Sequence, residues 1–131
     1  MDASDHGTPR LRFRRAHRLV RGADFQRVFR QGSRAKGSLM TVAVAPSALP
    51  HPRLGLSIGK VVWRGAVGRN RVRRVFREAF RLEQHALPAG YDLVLIGSAP
   101  RIRPGLAETR RELVYLARKA ARRYREKVGA E

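Results

Sequence analysis

Residues 68–81 read GRNRVRRVFREAFR, which crowds Arg69, Arg71, Arg73, Arg74, Arg77 and Arg81 among Val72, Val75, Phe76, Ala79 and Phe80. A guanidinium is a planar fork of N–H donors that pairs with phosphate oxygens and stacks on bases. An asparagine among such forks, here Asn70, adds an amide donor and acceptor. At about 100° per residue on a helical wheel, Val72, Val75, Phe76 and Ala79 fall within about 100° of one another and form a core-facing stripe. Arg69, Arg73 and Arg77 recur at i, i+4 and i+8 beside that stripe. Asn70, Arg74 and Arg81 lie on the solvent side, and Arg71 on the opposite flank. Like charges at i, i+4 destabilise an isolated helix by a few tenths of a kcal/mol per pair. Only Glu78 and Glu83 offer local relief, and Glu78 is placed to orient neighbouring arginines. The ridge works against the helix alone and suits a phosphate backbone laid along it.

Other chemistries find little support. A two-metal nuclease centre needs converging carboxylates, but Asp24, Glu78, Glu83, Asp92, Glu108 and Glu112 are scattered. His6, His17, His51 and His85 show no catalytic or metal-ligand spacing, so no catalytic residue and no protein-bound metal is expected. There is no cysteine, which removes disulfides, thiolate catalysis and cysteine-based zinc sites. The 131 residues carry a net charge of +19, a field that repels itself unless a polyanion neutralises it. No apolar run approaches the 18 or so residues of a membrane span. The stretch MDASDHGTPRLRFRRAHRLV has no apolar segment ahead of a cleavage site, so the expected location is the cytoplasm.

The elements that would position the basic ridge follow from periodicity. Residues 1–17 mix polar and basic residues without a period and are expected to form a flexible basic arm. GADFQRVFRQG places Phe25, Val28 and Phe29 at helical spacing, with Gly32 as a stop. SLMTVAVAPS reads as a strand ended by Pro46 and the turn-rich PSALPHP. RLGLSIGK alternates Leu54, Leu56 and Ile58 as a second strand, and the short connection suggests antiparallel pairing of the two. The basic helix should run over residues 66–84, with Trp63 just ahead of it. YDLVLIGS is a buried strand. Pro104 suits the first turn of a last helix, with Leu106, Leu113, Leu116, Ala117, Ala120 and Tyr124 on one stripe. Arg122, Arg123 and Arg125 suit that helix's C-terminus. A core-forming hydrophobic content of 43% over this length predicts one α+β domain at residues 18–127, with a tail at 128–131. Its order is helix, strand, strand, helix, strand, helix.

GRNRVRRVFREAFR resembles the RNR motif of the bacterial ribonuclease P protein family, and HPRLGLSIGK, RLEQHALPAGYDLVLIGS and RLVRGADFQRVFRQG are similar to the same family in the same order. The resemblance implies a single-domain two-layer sandwich. Its parts are a small mixed, mainly antiparallel sheet and three helices, similar to a ribosomal-protein S5 domain. It also implies two partners, the catalytic RNA subunit of ribonuclease P and precursor tRNA, with no membrane or DNA partner. The RNA, with Mg²⁺ held mainly by RNA, would hydrolyse precursor tRNA to release the 5′ leader. The protein would be the non-catalytic subunit of that endoribonuclease. Carried over by position, Arg69, Asn70, Arg71, Arg73, Arg74 and Arg77 would face the catalytic RNA, while Phe25, Phe29, Lys60 and Val42 would line a cleft for the leader.

Two departures stand out. Lys60-Val61 occupies a place where many relatives pair two lysines, and the first long strand offers Leu39, Met40, Val42 and Val44 where relatives often carry an aromatic. Phe25 and Phe29 at i, i+4 suit a core as well as a stacking platform. The competing function is a ribosomal or ribosome-assembly RNA-binding protein with no processing role. It would share the basic helix but not the cleft.

Overall fold

A computed structural model describes residues 13–129. Helix α1 spans Gly22–Gln31, and strands β1 (Ser33–Lys36), β2 (Met40–Pro46) and β3 (Arg53–Ser57) follow. Helix α2 (Ala66–Glu83), strand β4 (Tyr91–Gly97) and helix α3 (Leu106–Gly129) complete the chain. The sheet order is β1-β2-β4-β3, with β1/β2 and β2/β4 antiparallel and β3/β4 parallel. The α+β order, the three helices and the mixed, mainly antiparallel sheet agree with the sequence reading. The short strand β1 is added to it. SRAK carries no β-branched residue, so only its pairing with β2 makes it a strand.

The expected pairing of β2 with β3 does not occur. β4 lies between them, because its apolar YDLVLIG is buried on both faces and takes the centre of the sheet. The connection at residues 47–52 holds Pro50 and Pro52 and no two-residue hairpin turn. Two strand spacings are only about 10 Å, a distance that six residues cross easily.

One face of the sheet is covered by α2 and α3, and the other by α1 at one end. Met40, Val42, Val44, Leu93 and Leu95 point toward α2 and α3 and join Val72, Phe76, Phe80, Leu113 and Leu116 in the main core. Ala43, Ala45 and Val94 point the other way and pack with Val28 of α1 and with Leu19. Asp92, fully buried on that second face, receives Arg53 at 2.7–2.8 Å and Arg27 of α1, which pins the helix over one end of the sheet. The bond to Asp92 holds the Arg53 guanidinium above its ordinary pKa. Glu112 of α3 accepts the amides of Ser38, Leu39 and Met40 at 2.7–3.1 Å and so fastens α3 to the β1–β2 turn.

Three further details differ from the sequence reading. Val75 is only half-buried, whereas Phe80 is fully buried on the α2 core stripe. Pro104 precedes α3 rather than opening it; Gly105 caps the helix, its N–H donating to Glu108 Oε1 and its carbonyl accepting from Thr109. Residues 13–17 are not a free arm, and residues 1–12 lie outside the described part. Phe13 sets its ring edge-to-face on Phe80 at 5.6 Å, and Leu19 N–H donates to the Leu54 carbonyl at 2.9 Å.

His17 in this segment stacks on Phe13, meets His51 edge-on at 4.9 Å and accepts the Arg14 amide at Nδ1. Burial, followed by the charges of His51, Arg14 and His85, holds its imidazole below the ordinary histidine value. The unfolded chain therefore binds the proton more readily. This contribution is complete above about pH 6.5 and is lost as pH falls from there through the folded value. Melting temperatures recorded between pH 7.5 and 5.5 should fall on acidification, and His17→Gln, which keeps an acceptor for Arg14, should flatten the fall. Equal slopes for the two proteins would rule out this coupling.

Candidate nucleic-acid interface

The basic helix is anchored at its start by packing rather than by a side-chain cap. Gly65 is the extended N-cap, and no side chain bonds the first-turn amides. The half-buried Trp63 lies against Gly68, where a Cβ would fall 2.6 Å from the indole, so only glycine admits this approach. Trp63 Nε1 donates to the Ile102 carbonyl at 2.9 Å, and Arg103 lies over its ring at 5.5 Å. Trp63 is thus the clamp that joins the turn ahead of α2 to the segment between β4 and α3.

The arginines fall into two sets. Arg69 donates to the carbonyls of Trp63 and Arg64, and Arg73 donates to the Ile58 carbonyl at 3.2 Å and to Asn70 Oδ1 at 2.8 Å. These two hold the turn at residues 59–65, yet each guanidinium has N–H groups left for a phosphate. Asn70 keeps its NH₂ and the second lone pair of Oδ1 for other partners. Arg71, Arg74 and Arg77 are exposed, and no carboxylate is within ion-pair distance of them among the described residues. Arg81 is different again, because Glu78 grips it through two bonds of 2.7 and 2.8 Å. That grip lowers the Glu78 pKa and raises that of Arg81.

The division has a measurable consequence. Arg74→Ala should weaken polyanion binding while changing fold stability by no more than about 0.5 kcal/mol. Arg73→Ala should weaken binding and also lower the melting temperature, since it frees the Ile58 carbonyl and Asn70. Thermal melts beside RNA titrations would separate the two, and identical melts for both variants would overturn the division.

The other expected site residues are spread over three places. Phe25 lies over Gly55 of β3, where a Cβ would come within 2.7 Å of the ring, and Phe29 packs on the same second core with Arg34 5.0 Å above its ring. Both are half-buried, and of the two it is Phe25 that lines an open groove. A groove of about 230 Å³ runs from Phe25 and Val20, past Leu54 and Leu56, to Arg73 and Arg77 of α2. Lys60 is exposed in the turn after β3 and shares a separate hollow with Arg64 and Arg101. Val42 does not line the cleft: it is fully buried and points into the main core on the opposite face of the sheet.

Strand parity places a different set of side chains on the α1 face, one that residue type did not single out. Lys36, Thr41, Ile96 and Ser57 are cross-strand partners in one row on the α1 face, beyond the end covered by Arg27 and Asp92. Lys36 is exposed and the other three are half-buried. Thr41 Oγ1 lies 3.3 Å from Ser98 Oγ. The signal was available, because Val42 and Thr41 must face opposite ways, but no residue type announces which face is open. Each carboxylate of the described chain has a cationic or amide partner, and none forms a group with others that could hold a metal ion among the described residues.

Comparison with known proteins bears on the family and the fold. The family model described as Ribonuclease P matches residues 13–121. The chain is 44% identical over 87 residues to the ribonuclease P protein component of Photobacterium profundum, covering 66% of this chain and 73% of that one. It is 38% identical over 114 residues to that of Idiomarina loihiensis, covering 86% and 90%. Among solved structures, the RNase P protein of Staphylococcus aureus superposes with a TM-score of 0.70 at 26% identity, over 81% of this chain and 96% of that one. The RNase P protein of Thermotoga maritima gives 0.65 at 26% identity, over 78% and 96%. This chain belongs to the ribonuclease P protein family.

Proposed function

We infer that the chain is the protein component of ribonuclease P, binding the catalytic RNA along the exposed face of α2 and the 5′ leader of precursor tRNA in the groove beside α1. The observation that carries the reading is the continuity of the two surfaces: the groove that starts at Phe25 ends at Arg73 and Arg77. A leader strand lying over the Lys36–Thr41–Ile96–Ser57 row would pass directly onto the helix that grips the catalytic RNA. A ribosomal or assembly protein would need the basic helix but not this groove. Mg²⁺ belongs with the RNA in this reading, because the described carboxylates are engaged within the fold, and no step is assigned to protein-held metal. No helix of the described residues is long and apolar enough to cross a membrane, and the cytoplasm, where precursor tRNA is processed, is the proposed location.

Cleavage of a precursor tRNA by the catalytic RNA, measured with and without the protein, tests the reading. Stimulated release of the leader is expected, and unchanged cleavage would reject it. The leader contact has its own test. Phe25→Ala should weaken binding of precursor tRNA by about fivefold or more relative to mature tRNA, since a base on an aromatic ring is worth about 1–3 kcal/mol. Phe25 also packs over Gly55, so Phe25→Leu, which keeps an apolar filler, should show the same selectivity with a smaller change in melting temperature. Equal losses for both tRNAs would remove Phe25 from the leader site and leave the α2 contact standing.

A further inference from the structure

α3 carries a second basic surface that neither the RNR motif nor the leader groove accounts for. Arg111, Tyr115, Arg118 and Arg122 recur at i, i+4, i+7 and i+11, on the side of the helix opposite the buried Leu113, Leu116, Ala117 and Ala120. Tyr115 is 61% exposed, the more notable because it stands among cations. Lys119 Nζ lies 5.7 Å from the centre of its ring. Arg111, Arg118 and Lys119 have no carboxylate within ion-pair distance among the described residues. Arg118 reaches only the Ala86 carbonyl, at 3.1–3.3 Å. Between this stripe and the end of α2 lies an open hollow of about 710 Å³, closed on one side by the Arg110–Glu83 ion pair.

The fold explains only part of the stripe: Arg118 ties α3 to the Ala86 carbonyl and Arg122 has Glu126 at 3.9 Å, both pairs exposed to solvent. Arg111 has neither kind of partner, and an exposed tyrosine buries no core surface. The position is also separate from the leader groove, because α3 covers the face of the sheet opposite α1. It does share a layer with α2, whose last residue, Glu83, borders the same hollow.

We propose that the outer face of α3 is a second RNA-contact surface that takes an unpaired stretch of RNA, with one base on Tyr115 and the flanking phosphates on Arg111 and Arg118. These two arginines stand seven residues apart, about 10 Å along the helix axis, on either side of the ring. Single-stranded nucleic acid asks for this combination of cations that track a backbone and an aromatic platform that accepts any base. An anionic membrane would ask for an apolar stripe able to insert, and this face offers only Tyr115 and part of Val114. An acidic protein segment would use the cations without needing the ring.

The test uses the full chain carrying Arg71→Gln, Arg74→Gln and Phe25→Leu, so that the two other surfaces are weakened, and a fluorescein-labelled ten-nucleotide oligouridylate as probe. The parent of this series should still bind in a salt-dependent way. Tyr115→Ala should weaken binding by about fivefold or more, and Tyr115→Phe should bind as the parent does. Arg111→Gln with Arg118→Gln should flatten the log–log salt dependence by about 1–2. The proposal is overturned if the parent of the series does not bind the probe, or if Tyr115→Ala binds it as tightly as that parent. It is equally overturned if polyglutamate or vesicles containing phosphatidylserine displace the probe from the parent and the Tyr115→Ala variant alike, because the surface would then read charge alone.

Discussion

Raising monovalent salt from about 50 to about 200 mM should lower the affinity of the chain for ribonuclease P RNA by roughly 250- to 1,000-fold. Arginines that neutralise phosphates release condensed counterions, and each contact adds about 0.7–0.9 to the log–log slope. Arg69, Arg71, Arg73, Arg74 and Arg77 on α2, with exposed Arg64 or Lys60 in the turn ahead of it, would make about six contacts and give a slope near −4 to −5. Arg81 is left out of that sum because Glu78 already neutralises it. Filter-binding or fluorescence titrations at four or five salt concentrations give the slope directly. Arg71→Gln and Arg74→Gln should each reduce its magnitude by about 1, whereas Arg81→Gln should leave it nearly unchanged. A slope near zero would exclude the electrostatic footprint altogether, and a large Arg81→Gln effect would mean that the Glu78 pair opens on binding.

How much of this could be read from residues alone depended on whether local pattern or long-range partners decided the outcome. α2 was legible because three signals agree: apolar residues at helical spacing, arginines at nearly every other position, and the breaker Pro88 beyond its end. The helix order and β4 were legible for similar reasons. The pairing of strands was not, since nothing within PSALPHP reveals that a strand forty residues later will insert between its flanks. β1 was invisible because its stability comes from β2 and from α3, through Glu112 and the Arg123 bond to the Arg34 carbonyl at 2.8 Å. In the candidate site, residue type and helical spacing sufficed to anticipate that Arg71, Arg74 and Arg77 are exposed on α2. The cleft failed at Val42, because choosing between it and Thr41 requires knowing which face of the sheet α2 and α3 cover. The double duty of Arg69 and Arg73 was hidden as well, since their carbonyl partners lie in a turn whose path only the folded chain defines.

The same dependence on partners governs the core of α2, where Phe76→Ala should destabilise the fold by about 3–5 kcal/mol. Phe76 is fully buried among residues of the sheet and α3, and truncation removes most of a ring that its neighbours cannot collapse to fill. For a domain of this size the melting temperature should fall by 10 °C or more, at roughly 3–5 °C per kcal/mol. Val75 is the informative control. A wheel centred on Val72 assigns it to the core, yet it is half-exposed, because the segment at Phe13 covers the opposite flank and rotates the buried stripe toward Phe80. Val75→Ala removes only partly buried methyl groups and should cost about 1 kcal/mol. Phe80→Ala should behave like Phe76→Ala, with an added loss of order at Phe13, visible as faster amide exchange at Leu19, whose N–H bonds the Leu54 carbonyl. If Val75→Ala melted as low as Phe76→Ala, the orientation of α2 would be wrong. The arginines would then be turned by the same angle, taking Arg73 and Arg77 away from the Phe25 groove.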